Sequence, residues 1–370
     1  MDTITLTIPS TVSHISQIIT GFLLLKEQGW DVKIVDRSRD AGNPFYDLPV
    51  ALAEYRGKRL VYDLWDGYQN PDDMRRALEY SDFYFKRSFS AEKNRQVFPE
   101  FQEKIHPLGL YYRLTHPKNP INEPLWKAVA KTLTGRAPAV YFVPKVFEGK
   151  AERRAGEPVG ILFLTQLWDS SDPALSREDN EERRRINEMR IEIIRTLRGR
   201  YGDAFVGGLN DTKLSRELAP DLIVPAAYTE RRKYIKLVHS CDICIGSMGL
   251  YESIGGKTGE YVAAAKAIVN ERLHYTPTGD FAKGKNYLAF TTAAECVDAV
   301  RYLLDSPEAL YAMKCANEAY YRSYLKPEVL VKNTLDVAAR ETVAALENNL
   351  KKSGENLDFC ENLHIINPSR

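Results

Sequence analysis

The chain has 370 residues, 44% of them hydrophobic, and carries 51 Lys+Arg against 50 Asp+Glu for a formal net charge of +1. That length exceeds one hydrophobic core and predicts about two domains. The balanced charge excludes a global field directed at nucleic acid, and no apolar run approaches the ~20 residues that a membrane span requires.

Ile4–Ile8 is apolar and β-rich and predicts a first strand. The N-terminus lacks the basic flank and long apolar stretch of a signal peptide, which predicts a soluble, cytoplasmic protein. From Thr11 to Gln28 the residues Val12, Ile15, Ile18, Ile19, Phe22 and Leu23 fall at helical spacing, and Gly29 ends the run. Residues 31–36, 60–64 and 83–85 read as further strands, and 71–78 as a helix. Strands separated by helices predict a parallel sheet with crossover helices over residues 1–150.

The charged, Gly-containing stretch from Glu148 to Pro158 has no apolar period and reads as a linker. A second unit is predicted over 151–326. It opens with a strand at 159–164, followed by a helix at 182–201 with Ile186, Met189, Ile193 and Leu197 on one face. The alternation resumes with strand 204–206, helix 230–238, strand 242–245, helix 258–265 and strand 267–270, then helices at 293–304 and 307–321. Pro327 starts a last helix over 327–350, and a tail of little pattern covers 351–370. The five cysteines have no framework spacing and predict reduced thiols. Cys241 and Cys244 form a CxxC inside an apolar strand, which reads as small buried side chains rather than a metal or redox pair.

The chemistry concentrates in residues 246–260, a Gly-rich loop between a strand and a helix. Ligands of doubly wound sheets bind at the carboxyl ends of the strands. Gly255, Gly256 and Gly259 permit close backbone approach, the free amides of the helix start favour a phosphate, and Lys257 and Thr258 follow at once. A Walker A loop fails on register, because GxxxxGK[ST] needs glycine where Tyr251 stands. Glu260 is expected in the first turn of the helix, where the dipole favours its ionised form and a ribose diol is a fitting partner. Glu252, upstream on the loop, is placed to hold sugar hydroxyls or to stabilise positive charge at an anomeric carbon. Spacing alone is equally consistent with two exposed glutamates.

Glu252 and Glu260, with seven residues between them, resemble the donor site of the retaining GT-B glycosyltransferases, which build glycolipids and polysaccharides. The apolar strand from Cys241, the Glu260-Tyr-Val-Ala-Ala-Ala-Lys stretch and Asn286-Tyr-Leu-Ala-Phe extend the resemblance over most of the C-terminal half. Gly-x-Lys-x-Gly-Glu-Tyr at 255–261 resembles a bacterial surface-polysaccharide subgroup. The resemblance implies an α/β GT-B fold, two Rossmann-like domains facing across a cleft, with the last helix returning to the first. It implies that Glu260 binds the donor ribose and Glu252 the transferred sugar. Backbone near Gly255 and Gly256 would hold the diphosphate, with Tyr228 near the base. It implies no metal and no cofactor, the nucleotide sugar being a co-substrate. Where relatives place a clamp cation, this chain has Gln166, leaving Lys257 as the expected charge.

On the N-terminal side, Asp66 ends a strand and faces the cleft as a candidate catalytic group, or serves as a turn residue beside Gly67. Lys86 and Arg87 end another strand and either meet an acceptor phosphate or cap a sheet edge. His14, His106 and His116 are the histidines available there, His14 being taken for the acceptor side. The expected partners are a nucleotide-diphosphate sugar and a sugar or glycolipid acceptor, with no nucleic acid. Peripheral association at the inner face of a membrane is compatible with this. Two other functions stay open: a nucleotide-sugar epimerase of the same shape, using Asp63 or Asp66 as acid–base groups, and a non-catalytic nucleotide-sugar-binding or scaffold protein.

Overall fold

The computed structural model describes residues 2–123, 142–152 and 158–353, with side chains of the last helix described as far as 341. Residues 153–157 of the expected linker and 354–370 of the tail lie outside the described residues. The protein is an α/β molecule built on two sheets, each flanked by helices.

The N-terminal sheet has six strands in the order β2-β1-β3-β4-β5-β6. These are β1 (Ile4–Ile8), β2 (Val32–Asp36), β3 (Val50–Tyr55), β4 (Lys58–Asp63), β5 (Phe83–Lys86) and β6 (Ile105–Pro107). The expectation of a purely parallel sheet is corrected by β3, which runs antiparallel to both β1 and β4. Val50, Ala51, Leu52 and Ala53 are all buried, so β3 shows no alternation, and its two alanines give a weak strand signal. Pairing on both sides supplies what propensity does not. β3 and β4 close through Arg56 and Gly57, both with positive φ, the geometry of a two-residue type I′ hairpin. Among the described residues, helices α1 (Ser16–Glu27), α2 (Pro71–Tyr80) and α3 (Ala91–Val97) accompany this sheet.

The C-terminal sheet is parallel throughout, in the order β11-β10-β9-β7-β8. Its strands are β7 (Ile161–Thr165), β8 (Phe205–Leu209), β9 (Ile243–Gly246), β10 (Ala267–Glu271) and β11 (Leu288–Phe290). Between them run α4 (Arg177–Tyr201), α5 (Lys213–Leu218), α6 (Ala226–Thr229), α7 (Arg231–Ser240) and α8 (Gly256–Ala263). Then follow α9 (Ala293–Asp305), α10 (Pro307–Tyr320) and α11 (Pro327–Ser353). Cys241 and Cys244 are buried at β9, and burial pushes both thiols up.

Among the described residues the chain passes between the halves near Glu148 and again near Tyr321, and these passages touch. The Tyr321 hydroxyl donates to Glu148 Oε1 at 3.0 Å. Beyond this point α11 packs on α1 of the first half. Gly21 makes that possible, because a Cβ there would run into the Pro327 carbonyl and Val331. α1 is consequently buried on nearly every side, against the sheet and against α11, which explains an apolar content too broad for a surface helix. The Tyr62 hydroxyl lies 2.8 Å from Thr334 Oγ1, joining β4 to α11. One apolar core runs continuously from Ile4 and Leu6 through Leu110, Tyr112 and Phe147 to Tyr261 and Ile268. Among the described residues no helix is long and apolar enough to cross a membrane.

Candidate functional site

The carboxyl ends of β7, β8 and β9 share one edge of the C-terminal sheet, and the N-terminus of α8 faces them. Between lies a cavity of about 300 Å³ whose wall includes Gln166, Trp168, Arg190, Ser247, Gly255, Gly256, Lys257 and Thr258. Helix starts leave their first amides without intrahelical partners, so α8 directs donors into this space. Thr258 closes the wall from behind, its hydroxyl donating to Asn270 Oδ1 at 3.0 Å, and is 1% exposed. Gln166 contributes its backbone, the carbonyl accepting from Arg190 Nη1 at 2.6 Å.

Lys257 reaches into the sheet edge and donates to the Leu164 carbonyl. Burial pushes its ammonium down to about 8; Glu260 opposes this shift, while Arg190 and Arg231 add to it. The expectation that Lys257 supplies the only charge is corrected by Arg190. This guanidinium donates to the Gln166 and Met248 carbonyls and to Ser247 Oγ at 2.6, 2.9 and 3.0 Å. Burial lowers its pKa to about 10, with Glu271 pulling the other way. The sequence carried a signal for it: Arg190 falls four residues after Ile186 and three before Ile193, on the apolar face of α4. A charged residue on an inward face marks a paired or functional group.

Glu260 lies in the second turn of α8, not the first, because the helix starts at Gly256. It is 4% exposed and both oxygens are engaged. Arg231 Nη2 donates to one and the Tyr234 hydroxyl to the other, each at 2.8 Å. Arg231 in turn lies over the Phe147 ring, 4.8 Å from its centre. These partners, rather than the helix start, neutralise the carboxylate. Glu260 therefore stands behind Lys257 and outside the cavity wall.

Glu252 occupies a different place, in the interdomain cleft. Tyr251 and Glu252 both have positive φ, at 57° and 59°, a costly backbone for two successive non-glycine residues. The resulting turn directs the carboxylate to Lys93 Nζ of the first half at 2.8 Å, with His274 Nδ1 at 3.5 Å. The Lys93 hydrogen bond holds Glu252 below the usual carboxylate value; burial opposes it, and the charges of His274 and Lys93 assist. Tyr68, Tyr251 and Tyr275 flank Glu252 in a recess of about 400 Å³.

Three of the expected N-terminal residues converge on the same cleft. Arg87 Nη1 is 2.8 Å from Asp66 Oδ1, and Arg87 Nη2 donates to the Ile254 carbonyl of the loop before α8 at 3.0 Å. Tyr111 lies between Arg87, 4.8 Å from its ring centre, and His14, whose ring centre is 5.5 Å away. Burial lowers the His14 pKa, Arg87 lowers it further, and Asp66 opposes.

Lys86 requires correction. It is fully buried and points away from the cleft, donating to Asp63 Oδ2 at 2.7 Å and to the Gly67 carbonyl at 2.9 Å. Successive residues of a strand point to opposite faces, so Lys86 and its neighbour Arg87 cannot serve one site. Asp63, taken up by Lys86, Tyr84 and the Trp65 amide, is likewise removed from acid–base duty. Tyr228 is 40% exposed on the short α6 and is not part of the cavity wall. His106, beside Glu341, and His116, beside Glu27, lie away from the cleft. Among the described residues, no group of three or more His, Cys, Asp or Glu is placed to hold a metal ion.

No protein-family model and no curated protein matches the chain. Solved structures with similarity to it include a glycosyltransferase from Rickettsia africae, 10% identical over 90% of this chain and 96% of that one, with a TM-score of 0.40. The Anabaena protein HepE in complex with UDP is 11% identical over 87% of this chain and 88% of its own, with a TM-score of 0.38. The UDP-GlcNAc 2-epimerase from Neisseria meningitidis bound to UDP-GlcNAc is 16% identical over 71% of this chain, with a TM-score of 0.36. That match spans 64% of the epimerase, less than two thirds of its length. Likenesses this distant do not assign a function to this chain.

Proposed function

We propose that the protein is a glycosyltransferase that moves a sugar from a nucleoside-diphosphate sugar to a hydroxyl acceptor, of the kind used in polysaccharide or glycoconjugate synthesis. One observation carries the reading. A cavity at the carboxyl ends of β7–β9 combines the amides of the α8 N-terminus with the buried cations Lys257 and Arg190. Such a site suits a diphosphate leaving group, because preorganised donors and cations stabilise charge that grows as the glycosidic bond breaks. These groups supply the neutralisation that a metal ion gives elsewhere. Gly255 and Gly256 let the diphosphate approach the backbone.

The acceptor enters the cleft between Glu252 and the His14–Asp66–Arg87 group. His14, kept neutral by burial and by Arg87, is suited to accept the acceptor proton. Glu252, among three tyrosines, binds hydroxyls of the transferred sugar. Each Glu260 oxygen keeps acceptor capacity beyond its bond to Arg231 or Tyr234. The carboxylate is buried, however, so contact with a ribose requires neighbouring side chains to move, and Glu260 holds the donor pocket together as much as it touches ligand. Retention of configuration follows from the resemblance alone and is part of the proposal.

The test is nucleotide release from a panel of UDP-, GDP- and dTDP-sugars. Release that survives unchanged in Lys257→Met and Arg190→Met would sink the site. Acid–base groups from both halves also meet at Lys93, Glu252 and His274, and this favours an epimerase as the second reading. Isomerisation of the donor without any acceptor, followed by NMR, decides for it.

A further inference from the structure

A second cavity, of about 730 Å³, opens at the other edge of the C-terminal sheet, where Asp242 precedes β9 and Lys266 precedes β10. Four lysines line it: Lys150, Lys236, Lys266 and Lys314. Among the described residues Lys314 is the one of the four in an ion pair, its Nζ lying 2.6 Å from Asp242 Oδ1. Lys266 is 5% exposed. Its ammonium donates to the His239 carbonyl at 2.9 Å and makes no ion pair among the described residues. That bond caps the end of α7 and accounts for one of three N–H donors. Lys150 and Lys236 are exposed at the mouth. Glu152 is the other carboxylate among the described lining residues, which together remain positive by two charges. His239 adds none while neutral: it is bonded to the Val146 carbonyl at 2.9 Å and lowered by burial.

A buried cation with unused donors is costly unless an anion completes it. We propose that this cavity binds a phosphorylated anion, a phosphate ester or diphosphate group, at a site separate from the donor cavity. Two excess charges match a phosphate dianion, and the volume leaves room for the group that carries it. The phosphate takes the free donors of Lys266 from inside, and Lys150 and Lys236 close on it from the mouth. The position has a structural consequence. Lys150 belongs to the segment joining the two halves, whose neighbour Gly149 donates to the Ala263 carbonyl of α8 at 2.9 Å. A ligand bridging Lys150 to Lys236 and Lys266 therefore pins the connector to the second half.

The test is calorimetric titration of the full chain with inorganic pyrophosphate, in parallel with sedimentation on phosphatidylcholine vesicles containing phosphatidic acid. Both use Lys257→Met as background to weaken the hold of the donor cavity on the probe, and the charge reversals below assign what binding remains. At least one probe should bind, and adding Lys150→Glu with Lys236→Glu, both exposed and safe for folding, should weaken it by about tenfold or more. Hydrogen exchange should slow over 149–152 and 236–242 when the probe is bound. Binding of pyrophosphate alone identifies a soluble phosphate ester, and binding of vesicles alone a lipid headgroup. Failure of both probes to bind, or an affinity untouched by the double charge reversal, overturns the proposal.

Discussion

Lys93 of the first half and Glu252 of the second meet across the cleft, with the ammonium 2.8 Å from a carboxylate oxygen. Both side chains keep more than a third of their exposure, so the contact is a weak fastener and contributes under about 1 kcal/mol to stability. Its larger effect is on the carboxyl itself, which the hydrogen bond holds below 4.5. A depressed carboxylate stabilises the fold above its unfolded value, and this contribution is lost as pH falls through the folded one. Lys93→Met should therefore move the acid limb of the rate–pH profile upward while the melting temperature stays nearly fixed. An unmoved acid limb would separate Glu252 from the chemistry.

Lys257 gives the same sign in a more alkaline window. Burial brings its folded pKa to about 8, against the ordinary lysine value of 10.5. Between those values the unfolded chain binds more protons, so stability should rise with pH across that window. Nucleotide affinity should fall over the same range, because the ammonium proposed to meet the diphosphate is lost. Denaturant titrations and calorimetry with UDP at several pH values check both trends, and Lys257→Met should flatten both.

The two glutamates should separate under the same substitution. Glu260→Gln breaks an ion pair with Arg231, whose Nε is buried without a hydrogen-bond partner, and should cost about 1–3 kcal/mol of stability along with activity. Glu252→Gln should lose activity with little change in melting temperature. Equal thermal shifts for the two variants would contradict their different surroundings.

Gly259 should control how the halves seat. A Cβ there would press on the Tyr111 carbonyl and come within 3.0 Å of the Tyr112 Cβ, both in the first half. Gly259→Ala is expected to cost about 1–3 kcal/mol and to raise the radius of gyration in solution scattering. An unchanged radius with full stability would mean that the contact yields easily.

The alternation of strands and helices was legible because buried parallel strands are apolar runs and their crossover helices are amphipathic. β3 was not, since Ala51 and Ala53 say little about a strand until its two neighbours are in place. The strand-loop-helix at 246–260 gave the cavity its floor and its amide donors. What escaped were the long-range pairings. Nothing near Glu260 in sequence announces Arg231 or Tyr234, and the helix boundary that put Glu260 in the wrong turn was off by two residues. Lys86 and Arg87 looked alike as adjacent cations. Only the facing residues showed that one is locked on Asp63 and the other open to the cleft.

The packing of α11 on α1 also bears on how the protein can be made. The first half leaves the ribosome long before residues 327–341 exist, and until then the face of α1 around Gly21 has no cover. A nascent or truncated chain ending short of Pro327 presents that apolar face to chaperones and proteases. The two halves are consequently poor interchangeable modules. A second half grafted from another protein would need a terminal helix that fits this glycine, so domain pairing and foldability are inherited together.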